Sequence, residues 1–213
     1  MKKLIALLLI ASLILCGCGA STPAATEATT APTQAPATEA TEAPTETTEA
    51  PTEPPVVYRN PLNGEVLDEP YTGRIFAVTI SNIRDALPHY GTMEADILME
   101  MWVNGSIIRD LALYTDVSKA EAIGSVRSDR LMFNQIVKMY DAVLADAAGS
   151  DQVLNDAKNT GVNRMTIDTG DATDYSYRAK DRVFTFKPES KYEHTLFAKG
   201  AGLLDFAQKK GFS

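Results

Sequence analysis

The chain has 213 residues, a formal charge of −8, 45% hydrophobic and 8% aromatic side chains, and two cysteines. Both cysteines, Cys16 and Cys18, lie in an N-terminal apolar run, which excludes disulfides, zinc–thiolate centres and a cysteine nucleophile from the remainder. Only His89 and His194 offer imidazoles, at no metal-ligand spacing, and the acidic balance leaves no electrostatic footprint for nucleic acid.

Lys2 and Lys3 form a positive leader, and Leu4 to Leu15 an apolar run broken only by Ser12. That run is shorter than the ~20 residues a spanning helix needs, so it reads as a secretory signal. Its end, Leu15-Cys16-Gly17-Cys18, resembles the lipobox of bacterial lipoproteins, whose cysteine thiol receives a diacylglycerol and becomes the first mature residue. Cys18 fits, with small Gly17 before it and Leu15 three residues back. Cys16 does not, because bulky Leu15 would occupy the small-residue position. The expected division is a signal peptide over 1–17, a lipidated Cys18 heading a linker over 18–55, and a globular domain over 56–213.

From Ala20 to Pro55 the chain is nearly all Thr, Pro, Ala and Glu, with six glutamates and no basic residue. Lacking any apolar side chain of size, it cannot repay the entropy of ordering and is expected to be a disordered, extended tether. Without it and the two leader lysines, 22 acids face 18 bases, so the domain itself is only mildly acidic. An acyl anchor followed by a long spacer predicts a domain working outside the cell membrane, some distance into the wall.

Within the domain, Arg74 to Ile80 predicts a buried strand. Asp96 to Val103 and Ser106 to Tyr114 predict two more, joined at Asn104-Gly105 by a tight hairpin. Ser128 is placed to cap a helix whose apolar stripe is Met132, Phe133, Ile136, Val137 and Tyr140. Ala142 to Ala145 predicts a short strand, and Asp151 to Thr160 a helix opened by Ser150 and closed by Gly161. Arg164 to Ile167 and Arg182 to Phe186 read as strands. Leu203, Leu204, Phe206 and Ala207 mark a last helix ending at Gly211. Hairpin strands followed by alternating helix and strand point to a layered α+β or α/β sandwich.

Several motifs then recur in one order: Asn60-Pro-Leu-Asn-Gly64, Ala77-Val-Thr-Ile-Ser-Asn82, Ala95-Asp96-Ile97 with Glu100, and Gly105-x-Ile-x-Arg109. They continue with Ile123-Gly-Ser-Val-Arg-Ser-Asp-Arg130, Tyr140-Asp141-Ala142, Ala148-Gly149-Ser150, Tyr177-Arg178, Arg182 and His194-Thr195-Leu196. In these the chain resembles the YerB-like lipoproteins of Gram-positive bacteria. The resemblance implies an α+β layered sandwich of β-β-α type with a mixed sheet, on the outer face of a Gram-positive membrane, with no established activity and no cofactor. Two positions depart from the family pattern: Asn104 stands where a glutamate is usual, and Asp146 where a histidine is usual. A histidine's role would not carry over to Asp146, since a free carboxylate titrates more than two pKa units below imidazole. Family members continue past Ser213 into a second region, so the chain is expected to be truncated there.

Arg109, Arg127, Arg130, Arg178 and Arg182 fall in or beside these motifs, and His194 joins them as a candidate ligand residue. Guanidinium forks onto carboxylate or phosphate with two parallel hydrogen bonds, so such a set can cradle an anion. The competing expectation is that each arginine pairs internally with Asp96, Glu100, Asp129, Asp141 or Asp146, because buried charges are usually paired. Two function classes follow. One is a non-enzymatic domain binding peptidoglycan, a wall polymer or an envelope protein. The other is a glycan-cleaving enzyme using carboxylates near the arginines, which would need two carboxyls ~5–9.5 Å apart. With no nucleophile, metal or phosphate-loop pattern in view, the balance leans away from an enzyme.

Replacing Cys18 with serine should release the protein from membranes, whereas replacing Cys16 should leave it anchored. Fractionation of the two variants checks this, and membrane retention of Cys18→Ser would exclude the lipid anchor.

Overall fold

Six consecutive strand-forming residues, Phe76–Ser81, are all buried, and both faces of the domain are built on them. The structure, a computed structural model, describes residues 55–168, 173–186 and 191–212. The expected signal peptide, Cys18 and the expected linker as far as residue 54 lie outside the described residues.

In chain order the strands are β1 (Tyr58–Arg59), β2 (Val66–Leu67), β3 (Phe76–Ser81), β4 (Ile97–Asn104), β5 (Ile107–Tyr114), β6 (Ile123–Gly124), β7 (Val143–Asp146), β8 (Asn163–Thr166), β9 (Ser176–Arg178) and β10 (Leu196–Ala198). Three α-helices accompany them: α1 (Leu131–Met139), α2 (Asp151–Thr160) and α3 (Gly200–Lys209). The main sheet has the order β4-β5-β3-β7-β8. Its β4-β5-β3 half is antiparallel and its β3-β7-β8 half parallel, so the sheet is mixed. A second sheet, β6-β10-β9, is antiparallel. The fold is α+β, a layered sandwich as the sequence predicts.

Side chains alternate across each strand, and the two core clusters follow that alternation. Phe76, Val78, Ile80, Ala112 and Tyr114 face Ile123, Leu196 and Leu203, so the second sheet and α3 cover one side. Ala77, Leu111, Leu113 and Leu144 face Phe133 and Val137, so α1 covers the other. Buried Asn134 then ties α1 to α2, donating to the Val153 carbonyl (3.1 Å) and to Asp156 (2.9 Å). The family-like Asn60 docks the amino-terminal turn in the same manner, donating to Asp96 (2.7 Å) and accepting from the amide of Leu62 (2.8 Å).

Four expectations need correction. The hairpin turn is centred on Gly105-Ser106, one residue beyond Asn104-Gly105, because Asn104 pairs with Ile107 after a register irregularity at Trp102. Helix α1 begins at Leu131 with Arg130 as N-cap, and Ser128 does not cap it. Residues 127–129 are instead consumed in sheet-like hydrogen bonds. Arg182–Phe186 is not a strand; the buried Arg182 side chain and Phe184 anchor an irregular segment, and Thr185 donates to the Leu87 carbonyl (3.0 Å). Finally, the strands β1, β2, β6, β9 and β10 were not expected, being two or three residues each.

Two glycines separate steric from conformational demands. A Cβ on Gly200 would overlap the carbonyl oxygens of Val117 and Ala120, both backbone atoms that cannot swing away. Gly105 has open space around it but φ of 51°. Gly200→Ala should therefore cost about 3 kcal/mol, the upper range for overpacking. Gly105→Ala should cost only about 1–2 kcal/mol, the penalty for a left-handed backbone. Denaturant melts of the two variants test the order, and a smaller loss for Gly200→Ala would contradict the packing at the start of α3.

Candidate functional site

The segment 123–130 builds the site. Ile123–Gly124 is β6 of the second sheet, pairing with Phe197 and Ala198. One residue later the chain crosses into the main sheet. The amide of Ser81 donates to the Ser125 carbonyl (2.9 Å), and that of Arg127 donates to the Thr79 carbonyl (3.0 Å). On the other side, Ala147 donates to the Arg127 carbonyl (3.0 Å) and Asp129 to the Ala148 carbonyl (2.6 Å). The Thr79 hydroxyl adds a further bond to the Arg127 carbonyl. This strap thus lies between β3 and β7 where the parallel pair separates, at the carboxyl ends of their strands. In open α/β sheets that is where ligands bind.

Three predicted arginines meet there. Arg109, buried on β5, donates to the Ser128 carbonyl. Arg130 folds back to donate to the Asp129 carbonyl (2.6 Å), and Arg127 reaches the Glu193 carbonyl (2.7 Å). None of the three forms an ion pair with a carboxylate among the described residues. Burial and the neighbouring Arg130 and Arg127 charges pull Arg109 down to about 9. Burial and Arg127 also lower Arg130. Carbonyl partners fix these guanidiniums in place, and the Asp129 carboxylate, without an ion pair to either, offsets part of the charge on Arg109 and Arg130.

The acids expected to neutralise them are occupied elsewhere. Asp146, fully buried, lies 2.5 Å from Arg164 through each of its two oxygens. Asp129 is also fully buried, accepting from the Arg130 amide (2.6 Å), with its other oxygen 4.0 Å from Arg164. Two carboxylates thus share one guanidinium, and burial is the largest influence on both. Asp146 is pushed up to about 8, with Asp129 adding to the rise, and Asp129 is pushed up to about 6. At neutral pH the pair holds a proton between its members. Asp146 therefore titrates in the range the sequence reading denied it, because the free-carboxylate value does not survive burial.

A cavity of about 160 Å³ opens beside the strap, lined among others by Arg127, Ser128, Ala148, Asp168, Arg178, Tyr192 and Glu193. Arg178 pairs with Asp168 (2.5 Å), donates to the Tyr192 carbonyl (2.6 Å), and stacks over the Tyr192 ring at 3.9 Å. It alone of the five predicted arginines has a carboxylate partner among the described residues, and that partner was not among the acids expected. Arg182 stands apart from the cleft. It donates to the carbonyls of His194 (2.9 Å), Ala86 (2.7 Å) and Pro88, between the rings of Phe184, Phe197 and Tyr90. His194 is buried edge-on to Phe184, and burial lowers its pKa, so it stands as a neutral packing residue.

The remaining carboxylates are engaged one by one. Asp96 accepts from Asn60, Asn63 (2.8 Å) and the Thr115 amide (2.6 Å). Asn82 bridges Glu100 (2.6 Å) and Asp110 (2.9 Å), which face each other across β4 and β5. Exposed Asp141 pairs with Arg74 at 2.8 Å. Sequence reasoning missed Arg164, Asp168 and Tyr192. Parallel β8 places Arg164 beside Leu144, next to Asp146, a pairing set by sheet order rather than by any local sequence pattern.

Comparison with known proteins follows the same outline. Residues 62–213 match the family described as "Protein of unknown function (DUF3048) N-terminal domain". The crystal structure of YerB protein from Bacillus subtilis is similar, with a TM-score of 0.62 and 26% sequence identity over 73% of this chain. The chain spans 50% of that protein's length. No curated protein matches.

The shared proton sets a pH dependence. Asp146 and Asp129 have folded pKa values above the ordinary 3.8, so the folded state binds more protons than the unfolded one between about pH 4 and 8. Stability must fall as pH rises through that window, by up to ~1.4 kcal/mol per pH unit for each proton. Asp146→Asn should flatten the fall between pH 6 and 8. Melts at half-unit intervals check it, and identical slopes in both proteins would contradict the buried pair.

Proposed function

The chain belongs to the family defined by that N-terminal domain of unknown function, and from this premise we propose that it is a lipid-anchored, extracytoplasmic binding domain. Cys18 fixes it to the outer face of the cell membrane, the linker carries it into the wall, and the strap arginines capture an anionic envelope component there. One observation carries the reading: Arg109, Arg127 and Arg130 converge with carbonyl partners only, beside a cavity that Arg127 lines. Such a cluster, only partly offset by Asp129, keeps a positive field that an incoming anion relieves. Peptidoglycan carboxylates and wall-polymer phosphates both supply the charge. The glycan-cleaving alternative is weaker, because the carboxylates that would serve it are buried behind Arg164 or bridged by asparagine.

Arg127 and Arg182 separate binding from folding. Arg127→Ala should reduce retention on purified cell walls at least tenfold while changing stability by less than about 1 kcal/mol, as for a partly exposed polar contact. Arg182→Ala strands two buried carbonyls, those of His194 and Ala86, and loses a third bond to the exposed Pro88, so it should cost about 2–4 kcal/mol. Sedimentation with walls, scored beside denaturant melts, tests both, and no soluble fragments should be released. Wild-type retention by Arg127→Ala would overturn the binding reading.

A further inference from the structure

The cavity presents more than positive charge. Tyr192 is 62% exposed, yet its position is fixed twice by one side chain, through the Arg178 stack on its ring and the Arg178 bond to its carbonyl. Arg178 is in turn held by Asp168. An aromatic ring immobilised on one face and open on the rest is a preformed platform that loses little entropy on contact. Arg127 is bonded to the carbonyl of Glu193, the next residue, so a fixed cation and a fixed ring line the same cavity. Two rim carboxylates, Asp168 and Glu193, line the same cavity. They repel a second anion but accept hydrogen bonds from hydroxyl groups.

We propose that the cavity takes a phosphorylated sugar or polyol unit, with the phosphate against Arg127 and the carbon skeleton against Tyr192. This rests on the anion-binding reading above and narrows it. A bare carboxylate would use the arginine and leave the ring and rim acids idle. A densely charged chain would meet Asp168 and Glu193 at its next anion. A single phosphate flanked by neutral hydroxylated carbons suits all four side chains. At about 160 Å³ the cavity is too small for a disaccharide and takes at most one such head group, part of it projecting from the mouth. The same chemistry occurs in phosphodiester-linked wall polymers and in the head groups of sugar-bearing phospholipids.

Saturation-transfer NMR on the full chain in detergent micelles, with glucose 1-phosphate, glucose and inorganic phosphate as probes, tests the assignment. Glucose 1-phosphate ring protons should saturate, inorganic phosphate should displace them, and glucose alone should give at least tenfold less signal. Tyr192→Ala should cut the ring signal at least fivefold while phosphate binding, followed by 31P line width, persists. Arg127→Ala should abolish both. Phosphate binding with no ring signal, or a ring signal indifferent to Tyr192→Ala, would overturn the sugar-phosphate assignment and leave the anion reading intact. Absence of phosphate binding would overturn both. Displacement by a soluble polyol-phosphate polymer or by phosphatidylinositol vesicles, added in turn, identifies the source, and displacement by neither would also overturn the assignment.

Discussion

Two parallel strands that part company leave backbone donors and acceptors facing each other across a gap. In this domain the gap between β3 and β7 is filled by residues 125–129, whose amides and carbonyls meet both sides. An unfilled gap would strand buried polar groups at a cost of about 1–3 kcal/mol each. Because the same segment begins as β6, it also binds the second sheet to the first. Packing on one face, the closure of the main sheet and the position of three arginines all depend on this crossing.

Its electrostatic consequence follows from what kind of partner each cation finds. A carbonyl satisfies an N–H geometrically but carries no net charge, so Arg109, Arg127 and Arg130 remain a positive cluster. Beneath them the charge problem is inverted. Asp129 and Asp146 compete for Arg164, with Arg130 acting on Asp129 as well, and a proton makes up the difference. Arg164 takes up the buried acids, so the strap arginines keep carbonyl partners rather than ion pairs. That division matches a surface organised to receive an anion, at the cost of a pH-dependent core.

How far the sequence disclosed this depended on the length of each signal. The eight-residue strands β4 and β5, buried β3, capped α2 and the stripe of α3 have enough periodicity or turn chemistry to be read directly. Strands of two or three residues have no period, so β6, β9 and β10 were invisible even though the strap grows from one of them. Arg182-Val-Phe-Thr-Phe186 has strand composition for another reason: Phe184 is buried around a caged guanidinium. The arginines themselves were legible as a group. Their partners were not, since whether Asp146 meets Arg109 or Arg164 is decided by sheet order, which no local pattern encodes. The Ser128 cap failed for a related reason, because tertiary hydrogen bonds claimed the residues beside it.

Amide hydrogen exchange reaches the strap most directly. The amides of Ser81, Arg127, Asp129 and Ala147 each depend on the crossing for their acceptor. If the strap is an integral strand, these four should exchange with the same opening free energy as the central amides of β3 and β5, through global unfolding. Exchange of Arg127 and Asp129 at the rate of an exposed loop, while β3 stays protected, would contradict the account.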